Sequence, residues 1–440
     1  MEESNQRFEV AIVGGGPAGS TAAALLALAG RRVVVLERDR FPRFQIGESL
    51  LPLSMRAFER TGVLPKIEAA GFVRKFGAEI ISGDAGQQSK FYFKDGFRPR
   101  GDSAFQVTRA EFDKILLDHA GECGAEIREA HQVGDIRFSN DRATLAITGP
   151  AGPSSIHADY VLDCSGRHSM LATKFGLKRG YAGLKKLAVY AHFENVARPE
   201  GLDGTLTRMV RARDRWLWMI PLSGTKMSLG AVVDTADFRK WRMTPEEVLT
   251  SSIASIPAVS ARMGSAARCT PVFSSGEYSC RHTQLHGERW LMAGDAAGFI
   301  DPVFSSGVFL AVLGAEHAAD SINQALDKPA LAPGLFARHS SRMKKVMAIY
   351  LRFVKGWYRQ EFIEIVLSPT APFQIVPAVN AVLAGNITSS FSLQWRLAAF
   401  RFFVFVQRFL PLCPRLALSP SGPPSPPAAP PSLPPERFPA

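Results

Sequence analysis

The chain has 440 residues, of which 46% are hydrophobic, and a formal net charge of +12. This length and composition allow a large buried core and exclude a disordered protein. Its five scattered cysteines are odd in number and lack metal-ligand spacing, which argues against a disulfide framework and against a metal site. The basic residues are dispersed without a nucleic-acid motif, so an anionic cofactor or an acidic protein partner explains the charge better than nucleic acid.

The sequence shows no pattern typical of export or of membrane insertion. The N-terminus, Met1-Glu2-Glu3-Ser4, is acidic and polar, unlike a secretory signal. No apolar run reaches the roughly 18 residues that span a bilayer. We therefore expect a cytoplasmic protein without a transmembrane segment.

The first predicted elements form a β-α-β unit. Phe8–Val13 is an apolar run typical of a buried strand, small residues from Ala22 to Ala29 occur at helical density, and Val33–Leu36 predicts a second buried parallel strand. Between the first strand and the helix stands Gly14-x-Gly16-x-x-Gly19. This is the context in which such a glycine loop binds a dinucleotide.

Each glycine of this loop has a physical role. The first permits a tight turn, the second lets the backbone approach a pyrophosphate, and the third allows close packing of helix on strand. The helix N-terminus meets the phosphate, and a carboxylate at the end of the second strand can accept from ribose hydroxyls. The alternative is an ordinary glycine-rich turn beside a solvated acidic residue. The predicted dinucleotide-binding residues are Gly14, Gly16, Ala18, Gly19 and Glu37.

Three further regions have clear patterns. Residues 200–235 predict antiparallel strands at Leu206–Val210, Trp216–Pro221 and Met227–Val233. From Ala311 onward the pattern is mostly helical. The last 22 residues, from Ser419, are dominated by proline and predict a disordered or polyproline-like tail.

A second segment distinguishes FAD from NAD, which would satisfy the glycine loop equally well. Ala293-Gly294-Asp295-Ala296-Ala297-Gly298 follows the strand-like Trp290-Leu291-Met292 and precedes an apolar helix. It resembles the Gly-Asp segment of the para-hydroxybenzoate hydroxylase-like flavoproteins. The resemblance implies that Gly294 and Asp295 contact the ribityl and pyrophosphate region of FAD. Arg109 and Asp163 lie in segments that match two further FAD contacts of that superfamily, although Arg109 read alone could be a surface helix charge.

Trp216-Leu217-Trp218-Met219-Ile220-Pro221 matches the W-x-W-x-I-P motif of the flavin-dependent halogenases. The resemblance is to the branch that acts on small aromatic or carrier-tethered substrates. In a strand, Trp216, Trp218 and Ile220 share one face. The resemblance implies that the two indoles separate the flavin from the substrate and suppress direct oxygen transfer. The alternative is an aromatic pair that is merely buried in a core.

Phe299-Ile300-Asp301-Pro302-Val303-Phe304-Ser305-Ser306-Gly307 matches the F-x-x-P-x-x-S-x-G motif of the same family. The match implies that Pro302 lies against the cofactor. It also implies that Ser305, Ser306 and Gly307 bind the halide, since successive backbone N–H groups before a helix attract anions. The alternative is a helix cap formed by the serine hydroxyls, and both can hold together.

Lys75, in Arg74-Lys75-Phe76-Gly77-Ala78, matches the lysine that halogenases place at the end of a tunnel from the flavin. The resemblance implies that hypochlorous acid meets this lysine, which either hydrogen-bonds the oxidant as an ammonium or forms a chloramine as an amine. The alternative is a surface lysine, and in a strand Arg74 would point the opposite way.

Phe41-Pro42-Arg43-x-x-x-Gly47-Glu48-Ser49 resembles the loop beneath the flavin, with Arg43 and Ser49 as cofactor contacts.

These resemblances predict an α/β fold: a para-hydroxybenzoate hydroxylase-like, Rossmann-type FAD-binding fold with an inserted antiparallel sheet and a helical C-terminal region. We expect the FAD-binding part at 1–175, with a short substrate-side insertion near 76–106, and again at 286–330. The substrate-side sheet is expected at 176–285, the helical region at 331–418 and the tail at 419–440. No second GxGxxG occurs, so reduced FAD would come from a separate flavin reductase or from transient NADPH contact.

The sequence thus predicts an FAD-dependent halogenase that uses reduced FAD, O₂ and a halide ion to halogenate an electron-rich phenol or pyrrole. The first alternative is a monooxygenase or dehydrogenase of the same fold, and the second is a flavin-binding regulatory or assembly protein without turnover. Arg342, Lys345, Arg352 and Lys355 can share one helix face. That face is either a solvated surface or a dock for an acidic carrier protein that bears the substrate.

Overall fold

A computed structural model gives the architecture of the chain. It describes residues 7–276, 278–368, 375–386, 390–416 and 418. The predicted proline-rich tail from Ser419 lies outside the described residues.

Strands and helices are numbered here along the chain. The strands are β1 (Arg7–Val13), β2 (Val33–Leu36), β3 (Val73–Lys75), β4 (Gly77–Ser82), β5 (Gln88–Tyr92), β6 (Ala104–Gln106), β7 (Glu126–Arg128), β8 (Gln132–Phe138), β9 (Ala143–Gly149), β10 (Gly152–Asp163), β11 (Lys178–Gly180), β12 (Lys186–Glu194), β13 (Thr207–Arg211), β14 (Arg215–Pro221), β15 (Lys226–Asp234), β16 (Ala267–Arg268), β17 (Phe273–Gly276), β18 (Cys280–His282), β19 (His286–Gly287), β20 (Trp290–Met292) and β21 (Gly298–Phe299). The helices are α1 (Pro17–Leu28), α2 (Met55–Thr61), α3 (Leu64–Ala69), α4 (Arg109–Glu122), α5 (Met170–Lys174), α6 (Thr235–Trp241), α7 (Pro245–Ser255), α8 (Pro257–Ser260), α9 (Ser306–Asp327), α10 (Ala332–Trp357), α11 (Gln360–Leu367), α12 (Ile375–Leu383) and α13 (Phe391–Gln407).

The predicted β-α-β unit is confirmed and forms the centre of a largely parallel sheet. Its strand order is β19-β20-β10-β1-β2-β7, and β1 pairs in parallel with both β10 and β2. Strands β8 and β9 extend β10 as an antiparallel arm. Helix α1 packs against α4 and α9. Because the centre of this sheet is covered on both faces, residues 10–13 of β1 and all of β2 are apolar and buried.

The predicted strands of residues 200–235 are also confirmed, as β13, β14 and β15. They are antiparallel neighbours in a second sheet of order β16-β12-β15-β14-β13-β4-β5. Strand β4 joins this sheet by pairing in parallel with β13. The segment after Lys75 is therefore built into the same sheet as the tryptophan strand, although Thr207 and its partner Ala78 are 129 residues apart in the sequence.

The C-terminal part of the chain is helical, as predicted. Helix α10 buries Val346, Tyr350 and Phe353 in the core that also contains Trp216 and Trp218. Helices α11 and α13 pack against each other, and α12 packs on α13. This helical layer thus covers the tryptophan-bearing face of the second sheet.

The described residues contain neither a candidate membrane span nor a candidate metal site. None of the helices there has the length and apolar character needed to pass through a membrane. No cluster of three or more His, Cys, Asp or Glu side chains suited to a metal ion occurs in the same residues.

Candidate active site

The glycine loop between β1 and α1 is shaped for a phosphate group. Gly14 has φ +103°, a conformation that side chains rarely adopt, and a Cβ on Gly19 would overlap the carbonyl oxygen of Gly14. A Cβ on Gly16 would instead meet only the Arg43 Nη2 atom at 3.5 Å. No side chain caps the N-terminus of α1. The free N–H groups and the open space at Gly16 therefore fit the pyrophosphate of a dinucleotide.

Glu37 follows β2 and is buried beside this loop. Its Oε2 atom accepts a hydrogen bond from Gly15 N at 2.7 Å, and its Oε1 atom accepts one from Asp39 N at 2.9 Å. The carboxylate thus holds the glycine loop in place while it also lines the adjoining cavity. The alternative of a solvated strand end does not apply to Glu37.

A cavity of about 960 Å³ runs from the glycine loop to the tryptophan strand. Its volume falls at the upper end of the range of cofactor sites, about 300–1,000 Å³. Most of the predicted site residues line it. These are Gly14, Gly16, Ala18, Glu37, Arg43, Ser49, Arg109, Trp216, Trp218, Gly294, Asp295, Pro302, Ser305 and Gly307.

Four predicted site residues lie behind the cavity wall rather than on it: Gly19, Lys75, Asp163 and Ser306. Asp163 ends β10 and is fully buried. Its Oδ1 atom accepts from Ser165 N at 2.9 Å, and its Oδ2 atom accepts from Leu171 N at 2.8 Å. Asp163 therefore shapes the loop whose residues Ser165 and Arg167 face the cavity.

Arg109 is buried at the start of α4, which excludes the alternative of a surface charge. Its Nε and Nη2 atoms bind the two carboxylate oxygens of Asp113 at 2.7 and 2.8 Å. Its Nη1 atom donates to Ile46 O at 2.8 Å. Arg43 Nη1 also approaches Asp113, at 3.3 Å. Arg109 and Asp113 thus fix the loop that carries Gly47 and Ser49 at the cavity.

Asp295 lies between β20 and α9 and is partly buried at the cavity. Burial raises the pKa of its carboxyl group to about 6, and the positive charges of Arg109 and Arg167 oppose that rise. Gly294 beside it has φ +65°, and a Cβ there would stand 3.0 Å from the Ala18 Cβ. The Gly-Asp segment therefore packs directly against the glycine loop, which brings both predicted cofactor segments to one place.

The indoles of Trp216 and Trp218 lie side by side on one face of β14, as the strand pattern predicts. Their ring centroids are 5.9 Å apart, and both side chains are buried. Trp218 Nε1 donates to Ser228 Oγ at 3.1 Å. Trp216 Nε1 donates to the Tyr358 hydroxyl at 3.1 Å. Both indoles line the cavity as well as the core, so the two interpretations of this strand hold together.

Lys75 ends β3 and is only 2% exposed, which excludes a surface lysine. Its Nζ atom donates to Leu50 O at 3.2 Å and to Ser305 Oγ at 3.4 Å. Burial lowers the pKa of the ammonium group to about 7. The adjacent Arg74 is exposed and pairs with Glu68 at 2.8 Å, so the two basic side chains point in opposite directions as expected.

The predicted halide motif at residues 299–307 includes the turn before α9. Ser305 adopts φ 54°, and α9 begins at Ser306. No side chain caps this helix, so its first N–H groups remain available to an anion. Asp301 Oδ1 accepts from Val303 N at 3.0 Å and thereby fixes the preceding turn.

Two buried pairs near the cavity escaped the sequence analysis. Glu48 Oε1 and His192 Nε2 lie 2.6 Å apart, and Glu48 lines the cavity. The Tyr358 hydroxyl donates to Asp301 Oδ2 at 2.8 Å and so extends the contact of Trp216. Burial raises the pKa of Asp301 to about 6, whereas the hydrogen bond from Tyr358 lowers it. Neither His192 nor Tyr358 stands in a motif, so only the folded chain identifies these pairs.

Comparisons with known proteins identify the family and the fold. The profile of the family described as FAD binding domain matches residues 7–350. The 1H-pyrrole-2-carbonyl-[peptidyl-carrier protein] chlorinase of Pseudomonas fluorescens is 30% identical over 81% of this chain and 84% of its own. The predicted FAD-binding α/β fold is thereby confirmed.

Two solved structures have the same fold. A flavoprotein/dehydrogenase from Cytophaga hutchinsonii is 28% identical, with a TM-score of 0.83 over 92% of this chain and 99% of its own. The structure of CmlS, described as a flavin-dependent halogenase, is 30% identical, with a TM-score of 0.77 over 90% of this chain and 70% of its own. One neighbour thus carries a halogenase description and the other a dehydrogenase description.

Proposed function

The chain belongs to the flavin-dependent halogenases, and from that premise we propose that it uses reduced FAD, O₂ and chloride or bromide to halogenate an electron-rich aromatic ring. In the balanced reaction, one aromatic C–H bond becomes a carbon–halogen bond and O₂ accepts four electrons. Two of these come from reduced FAD, and two come from the arene and the halide together. The oxygen atoms leave as water and hydroxide.

The observation that carries this proposal is the position of Lys75. A monooxygenase transfers oxygen directly and needs no ammonium group buried behind its cofactor cavity. Here Lys75 contacts Ser305 of the predicted halide motif, and Ser305, Trp216 and Trp218 all line one cavity. Burying a lysine charge is costly, and no carboxylate among the described residues forms an ion pair with Lys75, which supports a chemical role for this side chain.

In this proposal the chain's own residues bind the cofactor and separate the reactants. Gly14, Gly16 and the N-terminus of α1 hold the pyrophosphate, and Glu37 and Asp295 flank it. When bound, reduced FAD supplies the chemistry by which O₂ oxidises the halide to hypohalous acid, a two-electron oxidation. Trp216 and Trp218 keep the substrate from the flavin, and Lys75 receives the oxidant and positions it for attack by the ring.

The substrate class is inferred from a relative. The Pseudomonas fluorescens chlorinase is named for a pyrrole held on a peptidyl-carrier protein. We infer a pyrrole or a phenol for this chain, either free or tethered to an acidic carrier. A separate flavin reductase would supply the reduced FAD.

A dehydrogenase is the second candidate, favoured by the description of the Cytophaga hutchinsonii structure. The two functions differ in their products.

The test incubates the purified chain with FAD, a flavin reductase, NADH and O₂ together with free and carrier-bound pyrroles and phenols. The reactions are run in chloride, in bromide and without halide. Mass spectrometry should find products with the chlorine or bromine isotope pattern that depend on halide. Oxidised or desaturated products that form equally without halide would assign the second candidate, and no turnover in any condition would assign a flavin-binding protein.

A further inference from the structure

Helix α13 carries large apolar side chains on two opposite faces. Its inner face buries Leu393, Leu397 and Phe400. The Phe400 ring packs edge-on against Phe362 of α11, with centroids 5.3 Å apart. This inner contact attaches α13 to the rest of the fold, while Phe391, Phe402 and Phe405 on its outer face remain mostly exposed.

The outer face presents a continuous apolar line, which we call the aromatic stripe. The stripe consists of Phe391, Trp395, Phe402, Phe405, Phe409 and Leu412. Successive members are 4, 7, 3, 4 and 3 residues apart, and Ala398 lies within the longest interval. Within α13 this spacing keeps Phe391, Trp395, Phe402 and Phe405 on one side of the helix, and Phe409 and Leu412 follow just after its last residue, Gln407. The exposed fractions are 85% for Phe391, 36% for Trp395, 61% for Phe402, 60% for Phe405, 68% for Phe409 and 46% for Leu412.

Such a surface is unusual for a helix in water. A helix that is apolar all round is normally buried on all sides. Contiguous exposed apolar patches mark contacts with a protein or with a membrane. The aromatic stripe therefore predicts an occupant that covers it.

Charge selects the occupant. Between residues 365 and 435 the chain has four arginines, Arg396, Arg401, Arg408 and Arg415, and no Asp or Glu. Arg415 pairs with Glu364 at 3.1 Å. Arg401 and Arg408 are exposed seven residues apart, beside the aromatic stripe, and no carboxylate among the described residues forms an ion pair with either of them. The covering surface should therefore be anionic.

We propose that α13 binds the surface of an anionic lipid bilayer. The helix lies parallel to the membrane, with the aromatic stripe at the boundary of headgroups and acyl chains and with Arg401 and Arg408 at the lipid phosphates. A helix with Phe, Trp and Leu on one side and arginines beside them is suited to this position. A second copy of the chain fits less well, because it would bring arginines together without a carboxylate between them.

The experiment measures flotation of the full-length holoenzyme with phosphatidylcholine vesicles that either contain phosphatidylglycerol or lack it. Binding should require phosphatidylglycerol and should weaken at high salt. Arg401→Gln/Arg408→Gln should weaken it about tenfold. Phe402→Ser/Phe405→Ser/Phe409→Ser should weaken it about a hundredfold.

A matched control changes three exposed leucines elsewhere, Leu28→Ser/Leu202→Ser/Leu331→Ser. This control should bind vesicles like the parent. Flavin content and melting temperature of every variant check that it is folded. Failure of the parent to bind phosphatidylglycerol vesicles overturns the proposal, as does equal binding by the aromatic variant. A dimer in light scattering that the aromatic variant alone loses, without vesicle binding by the parent, assigns the stripe to a second copy instead.

Discussion

The Nζ atom of Lys75 lies 3.4 Å from the Oγ atom of Ser305, although 230 residues separate them. This contact joins the end of β3 to the turn that precedes α9. Of the two cations at residues 74–78, Arg74 is exposed and Lys75 is buried. The contact therefore places the buried cation beside the motif proposed to hold the halide. A halide oxidised at that turn would therefore meet Lys75 over a short path.

Lys75→Met should abolish halogenated product while flavin binding and oxidation of reduced flavin continue. Methionine keeps most of the volume of the side chain but removes the nitrogen that contacts Ser305. The measurement compares product by mass spectrometry with O₂ consumption. Arg74→Met, at the exposed neighbouring position, should keep parental product. Substantial product from Lys75→Met would remove the lysine from the proposed reaction.

The same lysine should give the free energy of unfolding a distinctive pH dependence. Burial lowers the pKa of Lys75 from 10.5 to about 7. Between these values the unfolded chain holds a proton that the folded chain lacks, so the contribution to stability increases as pH rises through this window and is lost as pH falls. The slope is about 1.4 kcal/mol per pH unit. Denaturant unfolding across the window should show this rise for the parent relative to Lys75→Met, and parallel curves would contradict it.

Gly230→Ala should disturb the tryptophan face without changing any side chain of β14. Gly230 of β15 pairs with Trp218 of the adjacent strand β14, and a Cβ on Gly230 would overlap the Trp218 ring. We expect destabilisation of about 1–3 kcal/mol and a lower ratio of halogenated product to flavin oxidised. Gly224→Ala is the matched control, because nothing lies within 4 Å of its added Cβ. A Gly230→Ala enzyme that couples as well as the control would show that the position of Trp218 does not matter for coupling.

Two glycines of the loop should separate folding from cofactor binding. Gly19→Ala should lower the melting temperature of the apoprotein, because its Cβ would overlap the Gly14 carbonyl. Gly16→Ala should leave the apoprotein stable, since its Cβ meets only Arg43 Nη2 at 3.5 Å, but should weaken FAD binding by occupying the phosphate space. Calorimetry of the apoproteins and flavin titration measure the two effects. Parental FAD affinity in Gly16→Ala would place the pyrophosphate elsewhere.

The sequence predicted those features that local spacing determines. The strand period of two placed Trp216 and Trp218 on one face, and it also placed Arg74 opposite Lys75. The apolar run and glycine loop gave the first β-α-β unit because each of its elements is continuous in the chain.

What the sequence could not provide depends on pairing between distant segments. Glu48 and His192 are 144 residues apart and meet only because β12 lies beside the loop between β2 and α2. The contact of Asp163 with the cofactor stays a prediction, and its side chain accepts hydrogen bonds from the backbone of Ser165 and Leu171. Its motif fixes the position of the residue in the chain, whereas the direction of its carboxylate follows from the local turn.

The last prediction concerns delivery of the substrate by an acidic carrier. Arg342, Lys345, Arg352 and Lys355 are all exposed on α10, while Val346, Tyr350 and Phe353 are buried beneath them. Among the described residues no carboxylate forms an ion pair with these four cations. Docking of an acidic carrier on this face would mainly increase the association rate.

We therefore expect faster halogenation of a carrier-bound arene than of the free acid, with the difference shrinking at high salt. Lys345→Glu/Arg352→Glu should lower the rate with the carrier-bound substrate about tenfold and leave the rate with the free acid unchanged. Lys94→Glu, which reverses a charge on a different surface, is the control and should leave both rates unchanged. Equal rates for both substrates, with no effect of reversing the charges on α10, would show that this face is an ordinary solvated surface.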